Sequence, residues 1–108
     1  MQENENLWSE TEKIIAKEAF KRAYEREISS LINGVQQKAK AITSIEELWI
    51  LHDFLSFQRH EIEGKYDYRY SVLIFVFAQL IMEGWVELSE LEGLTPDKLA
   101  KITALSRM

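Results

Sequence analysis

Cysteine is absent from these 108 residues, proline occurs once (Pro96), glycine four times and histidine twice (His52, His60). Each scarcity closes off some chemistry. Without cysteine there are no disulfides, thiolate zinc sites, iron–sulfur clusters or thiol nucleophiles, a composition compatible with a reducing cytosol. So few helix breakers favour long helices. Positive charge is also short: 13 Lys+Arg stand against 18 Asp+Glu, a net charge of −5, which argues against non-specific binding to nucleic acid. The apolar run from Val72 to Met82, broken by Gln79, falls well below the ~20 residues needed to span a bilayer. The first residues, MQENENLWSE, are polar and acidic, unlike a signal or transit peptide. What is present is ordinary globular material, 46% hydrophobic and 29% charged, of one domain's length.

The periodicity is helical throughout. Ser9 and Glu12 have the spacing of a capping box, and from there Ile15, Ala19, Ala23 and their neighbours Phe20, Tyr24, Ile28, Leu31 and Val35 recur at three- and four-residue steps to roughly Lys40. Lys13, Lys17, Lys21, Arg22, Glu25, Arg26 and Glu27 fall between them, mostly on the solvent side. Gly34 costs about 1 kcal/mol relative to alanine in a helix interior, so a kink or break can fall there. A second box, Ser44 with Glu47, opens a helix expected to end with Gly64 as its C′ residue. Its apolar residues (Ile45, Leu48, Trp49, Ile50, Leu51, Phe54, Leu55, Phe57, Ile62) occupy most of the circumference, as in a helix covered on more than one side. In so short a chain, a second subunit supplies that cover more readily than a second layer of its own. Val72 to Phe77 has strand-like composition, but the run continues to Met82 and stops at Gly84, so a helix is expected. A turn-rich connector follows, and Thr95-Pro96 opens a last helix to about Arg107.

Catalytic constellations are weak. His52-Asp53 resembles the central dipeptide of one metal-dependent phosphohydrolase family, but that site needs a histidine upstream and none precedes His52. His52 and His60 lie about 12 Å apart along a helix, too far to share one small ion. There is no GxSxG elbow and no glycine-rich phosphate cradle. The neighbouring carboxylates Glu46 and Glu47, or Glu61 and Glu63, read as a solvated helix face.

Asp53 says more. At three and four positions its helical neighbours are Trp49, Ile50, Ser56 and Phe57, and Arg59 is about 120° away around the helix, so no cation of its own helix is expected to face it. If the Trp49 face is covered, a two-fold axis across this helix brings Asp53 of one chain to Arg59 of another, with Trp49 and His52 in the same patch. A solvated aspartate beside a core tryptophan fits the spacing equally well. A second cluster is aromatic, Tyr66, Tyr68, Tyr70, Phe75 and Phe77, and Lys98, Lys101 and Arg107 are cations that can join it in a recognition surface. Plain core packing with solvated lysines is the alternative, since spacing does not bring the two regions together.

The segment LWILHDFLSFQRHEIEGKYDYRYSV, residues 48–72, resembles the most characteristic stretch of the fluorescence recovery protein family of cyanobacteria. The resemblance continues through IFVFAQLI (74–81), EGW (83–85), SELEGL (89–94), DKLAKI (97–102) and LSRM at the end, and upstream through LWS and FKRAYEREI. It implies a regulatory binding protein rather than an enzyme: an all-α homodimer without cofactor. Its elongated protomer would have a long N-terminal helix, a second helix in a dimer stem (about 9–63) and a smaller helical head (about 66–108) within one domain. The implied partner is the photoactivated orange carotenoid protein, bound mainly through its C-terminal domain. Binding speeds return to the orange form and release from the phycobilisome, ending photoprotective quenching. The resemblance carries Trp49, His52, Asp53 and Arg59 over to the dimer interface or partner action, and Phe75 and Lys101 to a partner-binding head. It implies a cytoplasmic location, or a peripheral one on the cytoplasmic face of the thylakoid membrane. A dimeric helical adaptor of the same family with another protein partner is the alternative.

Overall fold

A computed structural model describes residues 7–108, in the order α1 (Glu10–Ala41), α2 (Ile45–Lys65), α3 (Leu73–Glu83), a 3-10 turn (Leu88–Leu91) and α4 (Pro96–Ser106). No strand occurs among the described residues. The molecule is elongated, 53 × 30 × 25 Å, with a radius of gyration of 16.9 Å against about 13 Å for a compact chain of this size.

The start of α1 is fixed by the expected capping box. The Ser9 amide donates to Glu12 Oε1 at 3.0 Å and the Glu12 amide donates to Ser9 Oγ at 3.1 Å. α1 then runs 32 residues without a break, so Gly34 interrupts nothing. Leu31, Gly34 and Lys38 line a cleft beside α2, and the helix carries the local cost of glycine, about 1 kcal/mol, without a break. Ala16, Ala19 and Ala23 are buried along the first half of α1. Their small side chains admit a core whose largest fully buried members are Phe77, Leu73, Leu80, Leu91 and Ile102. The first half of α1 thus packs with α3, the 3-10 turn and α4 around one core, the head, and its second half extends from that core beside α2.

Two glycines make the head's tight corners. Gly84 closes α3 in the left-handed region at φ 89°, and the amides of Trp85 and Val86 return to the Leu80 carbonyl. Gly93 holds φ 110°, a left-handed backbone that demands glycine, and a Cβ there would also displace the flexible end of Ile15, Cδ1. Thr95 caps α4, its Oγ1 accepting from the Lys98 amide at 3.3 Å, with Pro96 just inside the helix.

α2 differs from the expectation at both ends. Ser44 Oγ accepts from the Glu47 amide, but the Glu47 carboxylate reaches one residue further back, to the amide and hydroxyl of Thr43 at 2.8 and 3.1 Å. Half of the capping box is thus displaced by one position. At the other end α2 continues through Gly64 to Lys65, and Tyr66 is the cap, donating its amide to the Ile62 carbonyl. Gly64 is not the C′ residue, because Lys65 is drawn into the helix end by partners on α1 and α3.

Candidate interaction surfaces

With 100° per residue, Ile45, Leu48, Trp49, His52, Ser56 and Arg59 share one face of α2, with Asp53 at its edge and Ile50 and Phe57 on the adjoining flank. Exposed large apolar side chains concentrate on α2 among the described residues. Trp49 is 57% exposed, Ile50 67% and Phe57 60%, and within α2 only Ile62 is buried. Such an exposed stripe makes this face a candidate interaction surface. The Trp49 ring stands edge-on to His52, centroids 6.3 Å apart, and His52 Nδ1 lies 3.4 Å from Asp53 Oδ1. His52 thus approaches Asp53 from the adjacent position rather than from one turn away, and it carries charge only if protonated. Arg59 turns instead to Glu63, Nε to Oε2 3.1 Å. Within one chain Asp53 and Arg59 do not meet, as their angular separation implied.

The head carries the second surface. Phe75 and Lys101, 26 positions apart, line one groove of about 600 Å3 with Trp8, Tyr70, Ile74 and Leu105. The aromatic and cationic regions thus come together, although spacing did not require it. Their cations are not equivalent. Lys98 is framework: its Nζ donates to the Leu7 carbonyl at 2.7 Å and to Glu12 Oε1 at 3.2 Å, and lies 5.0 Å above the Trp8 ring. Lys101 stays at the exposed rim, one turn from Asp97 at 3.3 Å. Arg107 is exposed and does not line the groove.

Buried charge holds the parts together, and the sequence reading missed it. Glu12 is buried, accepting from the Ser9 amide, the Thr95 amide at 2.9 Å and Lys98, so that one carboxylate joins the starts of α1 and α4. Burial pushes its pKa up, but these hydrogen bonds and the lysine charge outweigh it and hold the pKa below the usual carboxylate range. Glu27, expected on the solvent side, is also buried and takes hydrogen bonds from Lys65 Nζ and the Tyr66 hydroxyl, each at 2.8 Å. Lys65 Nζ also reaches Glu83 Oε1 at 2.6 Å. Burial and the Glu27 carboxylate push the Tyr66 hydroxyl pKa far up, and Tyr68, exposed at its rim but partly desolvated and hydrogen-bonded by Tyr70, is pushed up to about 12. One sign was available: Glu12 and Glu27 are the two ends of the stripe 12-16-19-23-27 whose interior is alanine.

Among the described residues no three His, Cys, Asp or Glu side chains cluster as metal ligands, and no helix is long and apolar enough to cross a membrane. Fold and surfaces together define a small, elongated all-helical protein whose prominent features are an exposed apolar helix face and a groove with a cationic rim. The family described as photoprotection regulator fluorescence recovery protein matches residues 8–106, and the chain belongs to that family. It is 53% identical over 108 residues to the fluorescence recovery protein of Synechocystis sp., covering 100% of this chain and 99% of that one. The solved structure of the Fremyella diplosiphon fluorescence recovery protein is similar at 58% identity with a TM-score of 0.91, covering 94% of this chain and 99% of that one. The Synechocystis structure gives 54% identity with the same TM-score and coverage. Photoprotection regulation is therefore the role that membership implies.

Proposed function

We propose that two copies of this chain pair through the bare face of α2, and that the dimer binds the photoactivated orange carotenoid protein, mainly at its C-terminal domain. Binding returns that protein to its orange form and releases it from the phycobilisome, in the cytoplasm or at the cytoplasmic face of the thylakoid membrane. Trp49, His52, Asp53 and Arg59 act at the stem. Phe75 and Lys101 act at the head. The observation that carries this reading is the pairing of family membership with two separate surfaces, an apolar stem face and a head groove with a cationic rim.

The requirement on such a regulator is kinetic. Relaxation of the activated partner is spontaneous, so acceleration comes from binding the transition state more tightly than the opened form, about 1.4 kcal/mol for each tenfold in rate. A scaffold that grips one domain and holds the other near does this by turning a search into a local docking step. Tight binding to the opened form alone would slow relaxation. The test is the dark recovery of the carotenoid protein's visible absorption after illumination. Stoichiometric addition of this chain accelerates it on this reading, and an unchanged rate rules the reading out. At the stem, Asp53→Leu and Arg59→Leu each shift the sedimentation profile toward monomer, and exchanging the two residues partly restores the dimer. Unaltered mass in both single variants removes the inter-subunit pair.

A further inference from the structure

α2 is held to the rest of its own chain by very little. Phe54, Leu51 and Gln58 lean toward α1, but clefts of about 380 and 290 Å3 flank Phe54, and the Lys38 ammonium lies 4.5 Å from its ring centroid. The polar contacts within α2, the Arg59–Glu63 ion pair and the His52–Asp53 contact, are local and exposed. Among the described residues, the hydrogen bonds and ion pairs that join α2 to other helices all come from Lys65, its last residue. Lys65 Nζ is 2.7 Å from Glu27 Oε1 on α1 and 2.6 Å from Glu83 Oε1 on α3. Its side chain is only 8% exposed, and Gln79 Nε2 steadies Glu83 from the same helix at 2.8 Å. Tyr66, the next residue, adds its hydroxyl to Glu27 and begins a series of ring contacts. Tyr66 meets Phe20 at 5.4 Å, Phe20 meets Tyr68 at 4.8 Å, Tyr68 meets Tyr70 at 5.7 Å, and Tyr70 meets Trp8 at 5.8 Å. Tyr70 and Trp8 line the head groove.

We propose that Lys65 is a positioning residue: the buried junction it makes with Glu27, Glu83 and Tyr66 sets the direction of α2 relative to the head, and so fixes the stem face against the head groove. A lysine between two carboxylates suits this task. Each carboxylate belongs to a different helix, and neither has another cation within ion-pair distance among the described residues. Without the ammonium, Glu27 and Glu83 are left as neighbouring like charges at a partly buried site, and the end of α2 moves away to admit water. The claim concerns the chain by itself. Its consequence, a slower recovery of the carotenoid protein, rests on the function proposed above.

Because the chain has no cysteine, spin labels can be placed uniquely at Glu46→Cys on α2 and Ala100→Cys on α4, both exposed positions, and diluted into excess unlabelled chain. The parent gives a narrow distance distribution between the labels. Lys65→Met, with unchanged helical circular dichroism, is expected to double its width or displace its mean, while Lys65→Arg keeps the parent distribution. Glu83→Gln, which spares the Lys65–Glu27 pair, broadens it by less, and keeps the test available if Lys65→Met loses helix. Distributions for Lys65→Met, or for Glu83→Gln where the former unfolds, that superimpose on the parent's overturn the proposal. These distances involve no carotenoid protein, so a failed recovery assay with an altered distribution counts against the proposed function and not against the role of Lys65.

Discussion

The head and α2 are built from similar amino acids to opposite ends. In the head, Phe77, Leu73, Leu80 and Ile102 are fully buried around an alanine stripe, and no buried side-chain polar atom lacks a hydrogen-bond partner among the described residues. In α2, Trp49, Ile50 and Phe57 face outward and only Ile62 is buried. Hydrophobic composition alone therefore does not say where a core lies. The head closes on itself, whereas α2 leaves most of its apolar side chains uncovered by its own chain.

The contrast is most easily broken by paired truncations. Phe77→Ala is expected to cost about 3–5 kcal/mol in urea unfolding followed by circular dichroism, the range for emptying a buried aromatic site. Phe57→Ala, compared at a concentration where the chain is single, stays within about 0.5 kcal/mol of the parent. Equal costs would mean that α2 is covered within its own chain.

Gly93→Ala adds an overlap with Ile15 to a left-handed backbone, and a loss of about 2 kcal/mol, read as a lower melting temperature, is expected. Smaller still is the acid response of the head. Arg26 forks onto Glu90 with bonds of 2.8 and 2.6 Å, tying α1 to the 3-10 turn, and the guanidinium holds the Glu90 carboxyl down to about 2. A carboxylate depressed on folding gives stability that is whole above its unfolded pKa, near 4.5, and is lost as pH falls through about 2. Glu90→Gln should remove about 1–2 kcal/mol at neutral pH and flatten the stability profile between those values. A variant whose acid profile matches the parent's would show that this link contributes nothing to the head.

Local signals were legible from the sequence, and distant partners were not. The α1 start followed from Ser9 and Glu12, the α4 start from Thr95-Pro96 and the α3 end from Gly84, because each is settled by atoms a few residues apart. Gly64 misled because the end of α2 is decided by Glu27, 38 positions before Lys65. Glu12 was read as a capping residue only, since its second amide donor, Thr95, lies 83 positions away. The meeting of Phe75 with Lys101 needed the α3–α4 packing, which no periodicity encodes. The bare face of α2 was legible as an excess: more apolar circumference than 108 residues can cover.

That excess is the central claim, and the mass in solution tests it most directly. Sedimentation equilibrium at micromolar concentration should give about twice the chain's 12.7 kDa, falling toward a single chain on dilution or with Asp53→Leu. A constant 12.7 kDa across the concentration range, with the face around Trp49 still bare, would contradict the account.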